Sequence, residues 1–268
     1  MDSAHDRVAE TESGEFMSSL ATQKVDSHAL DDGATVFFRR SSEGAAVSVQ
    51  EGYERWAETY DKTPNSLLAL EERYLTSLFP NLLGSNVLDL GCGTGRWLAR
   101  LLSRGARTVV GLDLSAAMLR VARRSARIRD RLVLADGLQL PFQASVFDFV
   151  LSSFALNHIE DLQAITQELA RAVKLEGRLL ISEMHPEAYV RGWRPGFRDT
   201  RSAVRIKTLS HSEESVISAF RSNGFGFLRS HDLFFAEPER PIFLASGREG
   251  MFESACQVPA IKVYEFRR

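Results

Sequence analysis

The chain has 268 residues, 44% of them hydrophobic and 25% charged, enough apolar material for a sizeable core and an ordinary globular balance. A formal charge of −2 excludes a global pull towards nucleic acid or anionic membrane. With only two cysteines, Cys92 and Cys256, a disulfide framework is excluded and a reducing cytoplasmic setting is expected. No apolar run reaches the roughly 20 residues of a membrane-spanning helix, and the polar, acidic start has no secretory h-region.

Residues 1–47 are rich in Ser, Asp, Glu, Ala and Gly without a sustained period, which predicts a mostly disordered tail. Within it, 34–38 has the composition of a short strand. Helical periodicity begins at Val49. Tyr53, Trp56, Ala57 and Tyr60 recur at three- and four-residue steps and share one helix face. Asp61–Asn65 interrupts that helix, and a second one carries Leu67, Leu68, Leu70, Tyr74, Leu75 and Leu78 towards Pro80.

Regular alternation follows. Strands are predicted at 86–90, 108–112, 132–135, 147–152 and 178–183, with helices at about 96–103, 116–128 and 161–173, the last closed by Gly177. Short β-α connections of this kind predict an α/β fold, a mostly parallel Rossmann-like sheet covered by helices on both faces. Ligands in such folds bind at the carboxyl ends of the strands. Residues 185–210, with Trp193, two prolines and five arginines, read as an inserted loop or hairpin. A helix at 213–221 with Ser212 as N-cap and Asn223-Gly224 as stop comes next. Residues 225–228, 233–236 and 242–246 read as late strands, the last two as an antiparallel pair, and 261–266 alternates like an edge strand. The expected domain plan is a tail (1–47), a body (48–248) and an extension (249–268). The body divides into lid helices (48–83), core (84–184), insert (185–210) and a C-terminal helix with strands (211–248).

The chemistry concentrates where strands end. Val87-Leu88-Asp89-Leu90 leads into Gly91-Cys92-Gly93-Thr94-Gly95, a buried strand feeding a glycine turn and a helix. The turn needs positive φ and lets a ligand reach the backbone. Asp113 stands 18 residues after Gly95, where a carboxylate can accept from both ribose hydroxyls. Asp136 follows the next strand, where a carboxylate can accept from an exocyclic adenine amine and the backbone of Gly137 can meet a ring nitrogen. A pyrophosphate would be repelled by Asp89 at the mouth of the loop, and Arg96 occupies the position of the third glycine of the dinucleotide pattern. The ligand predicted is an adenosine compound without phosphate and with positive charge, as S-adenosylmethionine is.

Five segments in this order resemble class I S-adenosylmethionine-dependent methyltransferases of the ubiquinone/menaquinone and biotin-pathway subgroup. They are 87–95, 110–119, 135–142, 147–153 and 172–181. Glu176 stands where that family usually has proline or glycine. Upstream, 53–61 is similar to the helix that closes over the cofactor. The resemblance implies a seven-stranded sheet, S-adenosyl-L-methionine as cofactor and methyl transfer to a small-molecule acceptor. It implies that Asp89, Gly91, Cys92, Gly93, Thr94 and Gly95 hold the methionine portion, and that Asp113, followed by Leu114, holds the ribose. Met118 would then pack on adenine with Asp136 and Gly137 at its polar edge. Ser153 would lie near the sulfonium, and Tyr53, Trp56 and Tyr60 would cover the site.

His158 and His185 follow the fourth and fifth strands, where an acceptor approaches. Each is a candidate general base or, alternatively, a capping and packing residue. No His or Cys spacing suits a metal ion. The six arginines between 120 and 131 read as a solvated helix face rather than a nucleic-acid surface. Arg191, Trp193, Arg194 and Arg198 are candidates for an acceptor lid that binds a carboxylate. Two other readings stay open: a non-catalytic protein that binds the same cofactor, and a nicotinamide-dependent oxidoreductase.

Overall fold

The computed structural model describes residues 36–37, 46–198 and 203–268. Most of the expected tail lies outside these residues. In chain order the elements are β1 (Val36–Phe37), β2 (Ala46–Val47), α1 (Val49–Trp56), α2 (Ser66–Leu78), β3 (Asn86–Leu90), α3 (Leu98–Ser103), β4 (Thr108–Asp113), α4 (Ala116–Ala122), β5 (Leu132–Leu134) and β6 (Phe147–Ser153). Then come α5 (Leu162–Ala172), β7 (Val173–Met184), α6 (Pro186–Val190), β8 (Arg194–Arg198), β9 (Ala203–Ile206), α7 (Glu213–Ser222), β10 (Gly226–Leu233), α8 (Arg240–Ala245), α9 (Phe252–Cys256) and β11 (Ile261–Arg267).

Helix starts follow side-chain chemistry. Ser48, Asn65, Ser115, Asp161 and Ser212 each accept a backbone N–H of the following first turn, capping α1, α2, α4, α5 and α7. Each cap satisfies a donor that the helix itself leaves open.

Seven strands form one sheet in the order β10-β11-β7-β6-β3-β4-β5. β11 alone runs against the common direction of the other six. In its middle rows Leu88 sits beside Val110 and Val150, and Val150 beside Leu179. Such apolar rows are what a sheet buried on both faces requires. Alternate residues of β3 feed two cores. Val87 packs with Leu70 and Leu75 of α2 and Leu98 and Leu101 of α3, while Leu88 packs with Ile165 and Leu169 of α5 and Phe220 of α7. A smaller sheet, β1-β8-β9-β2, joins two strands that precede the core to two that follow its fifth strand. Its Phe197, Val204 and Ile206 bury Trp56 of α1, so the lid and the insert share a core.

Several expectations change. The helix expected to reach residue 128 ends at Ala122, because 123–127 are all exposed and offer no face to bury. Gly177 does not close α5. The chain passes from Ala172 directly into β7, and Gly177 lies within that strand. Glu176 beside it takes φ +68°, the left-handed conformation that explains why glycine suits the position. Residues 233–236 and 242–246 are not a strand pair. A single strand, β10, ends at Leu233, and Pro238 and Pro241 sit in the first turns of a 3-10 helix (Glu237–Glu239) and of α8, where a missing N–H costs nothing.

The final strand is interior rather than an edge, so 249–268 is not an appendage: β11 pairs on both sides, with β10 and β7. Its polar positions are paired instead of solvated. Lys262 meets Glu213 and Asp232, and Glu265 meets Arg178, Arg229 and His231. Of 34–38, only Val36–Phe37 is described, paired with Pro195 and Arg194 of β8. Among the described residues, no helix is long and apolar enough to cross a membrane.

Candidate functional site

The glycine turn leaves β3 with three left-handed residues, Gly91 (φ +72°), Gly93 (+55°) and Gly95 (+84°). Their surroundings differ. A Cβ on Gly91 would stand 2.5 Å from the Ala155 Cβ, one on Gly95 would stand 2.3 Å from Ile128 Cδ1, and one on Gly93 would meet nothing within 4 Å. Gly95 therefore admits close packing under the turn, and Gly93 keeps the backbone open to the cavity. Gly95→Ala is expected to cost about 1–3 kcal/mol, from left-handed strain plus displacement of Ile128. A shift in urea midpoint at unchanged slope would measure it.

Two backbone bonds, Gly91 N and Cys92 N to Leu112 O at 2.8 and 3.0 Å, tie the turn to β4. Asp113, the last residue of β4, completes the tie. Its Oδ2 accepts Gly93 N at 2.7 Å and its Oδ1 accepts Ser115 N at 2.8 Å. Burial pushes the Asp113 pKa up, and those backbone bonds oppose the shift. Each oxygen keeps a lone pair beyond the one used, so the carboxylate can still accept from two ligand hydroxyls.

A cavity of about 510 Å³ opens at the carboxyl ends of β3, β4, β5 and β6. Of the residues predicted from sequence, Gly91 and Gly93 form its floor, with Asp113, Leu114 and Met118 on the β4 side. Asp136 and Gly137 close the β5 side, Ser153 and His158 the β6 side, and Tyr53 and Tyr60 the lid side. Leu114 is exposed and Met118 buried. Among the described residues that line it there is no lysine or arginine, whereas Asp113, Asp136, Glu160 and Asp161 all do. Such a wall suits an uncharged or cationic ligand and disfavours phosphate.

Asp89 does not line the cavity. It is 1% exposed, one residue before the wall residue Leu90, and neither carboxylate oxygen has a hydrogen-bond partner. Burial, reinforced by Asp113 and Glu71 and opposed by Arg96, raises its pKa to about 8. A buried carboxyl with two open oxygens is a ready partner for a ligand cation. The glycine cradle and an unpartnered carboxyl close to it can accommodate a cationic group.

Arg96 is committed elsewhere. Its guanidinium pairs with Glu71 and donates to Ser153 Oγ at 3.2 Å. Glu71, fully buried on α2, also accepts from Ser153 Oγ at 2.7 Å and from Ser182 Oγ. This network pins α2 to β6 and β7 beneath the cavity.

Trp56, Cys92, Thr94 and Gly95 lie outside the cavity wall. Trp56 is 2% exposed and stacks on Phe197, with ring centroids 5.0 Å apart. Cys92 is buried, and burial pushes its thiol well above the usual range, which leaves it inert as a nucleophile. Thr94 Oγ1 donates to Asp61 at 2.8 Å, joining the turn to the lid. Tyr60 opens a 3-10 turn rather than continuing α1, yet its ring still meets Trp56 at 4.7 Å.

The two histidines part company. His158 Nε2 lies 2.8 Å from the Tyr53 hydroxyl, and burial lowers its pKa to about 4. Burial and nearby acids raise Tyr53 well above the usual phenol range. Tyr53 thus keeps its proton and donates, so Nε2 accepts and the ring proton sits on Nδ1. A neutral imidazole of such low basicity is a poor base for a hydroxyl. His185 is outside the cavity. Its Nδ1 caps α6 by accepting Glu187 N at 3.0 Å, and its Nε2 faces Asp232 at 3.2 Å. As a cap, His185→Ala is expected to cost about 1 kcal/mol of stability and leave turnover unchanged, which thermal unfolding and initial rates together would check.

Sequence reasoning missed Val49, Gln50, Ser115, Phe154, Ala155 and Ile159 in the wall, and Glu160 and Asp161 at its rim. It also missed Glu71. The signal for Glu71 was present: it lies four residues after Leu67 and four before Leu75, on the apolar stripe of α2. Of the candidate acceptor-lid arginines, Arg191 pairs with Glu187, and Arg194 donates to Tyr189 O and Trp193 O. The run from Arg120 to Arg129 is exposed at every arginine, and Arg124 is paired with Glu58.

Residues 88–181 match the family model described as "Methyltransferase domain". Over 153 residues the chain is 33% identical to a demethylmenaquinone methyltransferase of Tropheryma whipplei, covering 54% of this chain and 62% of that one. It is 34% identical over 148 residues to the biotin biosynthesis bifunctional protein BioHC of Cellvibrio japonicus, covering 54% of this chain and 29% of that one. The chain thus spans less than two thirds of these relatives. The crystal structure of an S-adenosylmethionine-dependent methyltransferase from Mesorhizobium loti superposes with a TM-score of 0.60 at 21% identity, covering 76% of this chain and all of that one.

Proposed function

We propose, for a chain that carries a class I S-adenosylmethionine-dependent methyltransferase domain of the quinone- and biotin-pathway branch, that it transfers a methyl group to a small-molecule acceptor. The observation that carries this reading is the cavity wall: a glycine turn and strand-end acids with no basic side chain among the described lining residues. A pyrophosphate cofactor would meet acids where it needs cations, so a nicotinamide enzyme is disfavoured.

Bound here, S-adenosyl-L-methionine supplies an electrophilic methyl on a sulfonium. The protein's part is to hold the reactants aligned and dry. Asp113 would accept from the ribose hydroxyls, and Met118, Asp136 and Gly137 would hold the adenine. Asp89 would balance the ligand ammonium. Tyr53 and Tyr60 would exclude water from above, and Ser153, held by Glu71, would border the reacting centre. His158 would orient the acceptor through Tyr53 and its own Nδ1–H rather than remove a proton. The two cysteines are both free, consistent with a cytoplasmic place of action.

Calorimetric titration with S-adenosylhomocysteine and with NAD tests the cofactor, and NAD binding alone would refute the reading. Transfer of labelled methyl from the cofactor into a small-molecule fraction of cell extract tests turnover. Tight product binding with no label transferred would favour a non-catalytic binding protein.

A further inference from the structure

A second, smaller chamber adjoins the cofactor cavity. It has a volume of about 50 Å³ and shares Tyr53, Tyr60, Phe154 and His158 with the larger one. Its outer wall comes from the insert, through Tyr189, Pro195 and Thr208. Phe154, in the dividing wall, has φ +53°, a strained conformation for a bulky side chain and one that tends to persist where function requires it.

We infer that this chamber receives the reacting end of the methyl acceptor, and that this end is uncharged and presents a hydrogen-bond-accepting oxygen on an apolar body. The inference rests on the methyltransferase reading and adds a substrate class to it.

Two features exclude charged ends. Among the described residues lining the chamber there is no Asp, Glu, Lys or Arg. A carboxylate or ammonium placed there would be desolvated without a partner, which costs several kcal/mol per ion. Aromatic rings of Tyr53, Trp56, Tyr60, Phe154 and Tyr189 supply the apolar surface instead.

Unused hydrogen-bonding capacity selects for oxygen. Four residues of the wall carry buried polar atoms without a hydrogen-bond partner: Trp56 Nε1, His158 Nδ1, Tyr189 Oη and Thr208 Oγ1. The Tyr189 hydroxyl interacts with that of Thr208, and His158 with the Lys207 backbone, but at geometries too loose for full hydrogen bonds, so these atoms keep capacity for a ligand. Trp56 Nε1 can only donate, and His158 Nδ1 donates because Nε2 accepts from Tyr53. Both hydroxyls can rotate to donate. By contrast, the polar side chain of Asn157 is already engaged, donating to Leu209 O and accepting Met184 N, and Asn65 caps α2. The surplus is therefore of donors, and a ligand oxygen of carbonyl, enol or phenol type satisfies it. The volume admits only a compact group, on the order of a few water molecules.

The test uses S-adenosylhomocysteine-saturated protein and three probes of one size, acetophenone, benzoate and benzylamine. Acetophenone is expected to bind at least tenfold more tightly than the other two. Tyr189→Phe and Thr208→Val are each expected to weaken acetophenone at least fivefold while leaving S-adenosylhomocysteine affinity unchanged. Without ligand, each variant is expected to raise the melting temperature by about 2–4 °C, because a buried hydroxyl without a partner is removed. Stronger binding of benzoate or benzylamine, no binding of any probe, or lowered melting temperatures with unchanged acetophenone affinity would overturn the assignment. Failure of the parent protein to bind S-adenosylhomocysteine would instead overturn the methyltransferase reading itself.

Discussion

Replacing Asp113 with alanine is expected to weaken S-adenosylhomocysteine binding by about a hundredfold to ten-thousandfold. Two hydrogen bonds from ribose hydroxyls to a charged carboxylate contribute roughly 1.5–3 kcal/mol each, and each 1.4 kcal/mol is about tenfold in affinity. The substitution also releases the glycine turn, since the same carboxylate holds Gly93 N and Ser115 N. Asp113→Asn keeps the shape but turns an amide donor towards one of those N–H groups, so it should recover little. Titration calorimetry reads the affinity, and thermal unfolding shows whether the body stays folded. A loss below tenfold for the alanine variant would remove Asp113 from the binding machinery.

Asp89→Asn is expected to stabilise the free protein while damaging it as a receptor for a cation. In the folded protein burial pushes the carboxyl up to about 8, against 3.8 for an exposed aspartate. The folded protein therefore binds this proton more tightly than the unfolded chain does. Stability is then highest below pH 4 with respect to this group and falls as pH rises towards 8. At about 1.4 kcal/mol per unit the ceiling on that loss is roughly 6 kcal/mol. Asparagine abolishes that loss, so the variant should match the parent near pH 4 and melt several degrees higher at pH 8. A ligand ammonium beside Asp89 would ionise it, so binding at pH 7 should release close to one proton. Calorimetry in buffers of different ionisation enthalpy measures that release. The variant should release none and should bind at least thirtyfold more weakly. Equal pH profiles for the two proteins would show that Asp89 does not titrate in this window.

The parts of the site that were legible are those in which a strand, its turn and the functional side chain are contiguous. Asp89 with the glycine turn, Asp113, and Asp136-Gly137 each follow a short apolar run, and the carboxyl ends of β3, β4, β5 and β6 stand within one residue of their expected places, whereas β7 starts five residues early and β10 ends five residues late. A parallel sheet then brings those ends together without further specification, because all its crossovers return to the same edge. His158 was placed at the cavity but not in its protonation state, since pKa depends on burial by Tyr53 and the surrounding shell rather than on neighbours in sequence.

What escaped the sequence was set by partners distant along the chain. Lys262 and Glu265 give 261–266 an alternating look, and their neutralisation by Asp232, Glu213, Arg178 and Arg229 turns an expected edge strand into an interior one. Glu71 was not singled out, because the partners that bury its charge, Arg96, Ser153 and Ser182, lie 25 to 111 residues further along the chain. Local order of residues thus determined the strand-turn-helix units and the acids that end them, because hydrophobic period and turn chemistry act over a few positions. Tertiary structure alone decided which charges are buried, which histidine reaches the cavity and how lid and insert wall off a second chamber. Those depend on burial and pairing between segments a hundred or more residues apart, as Tyr53 with His158 and Trp56 with Phe197 are.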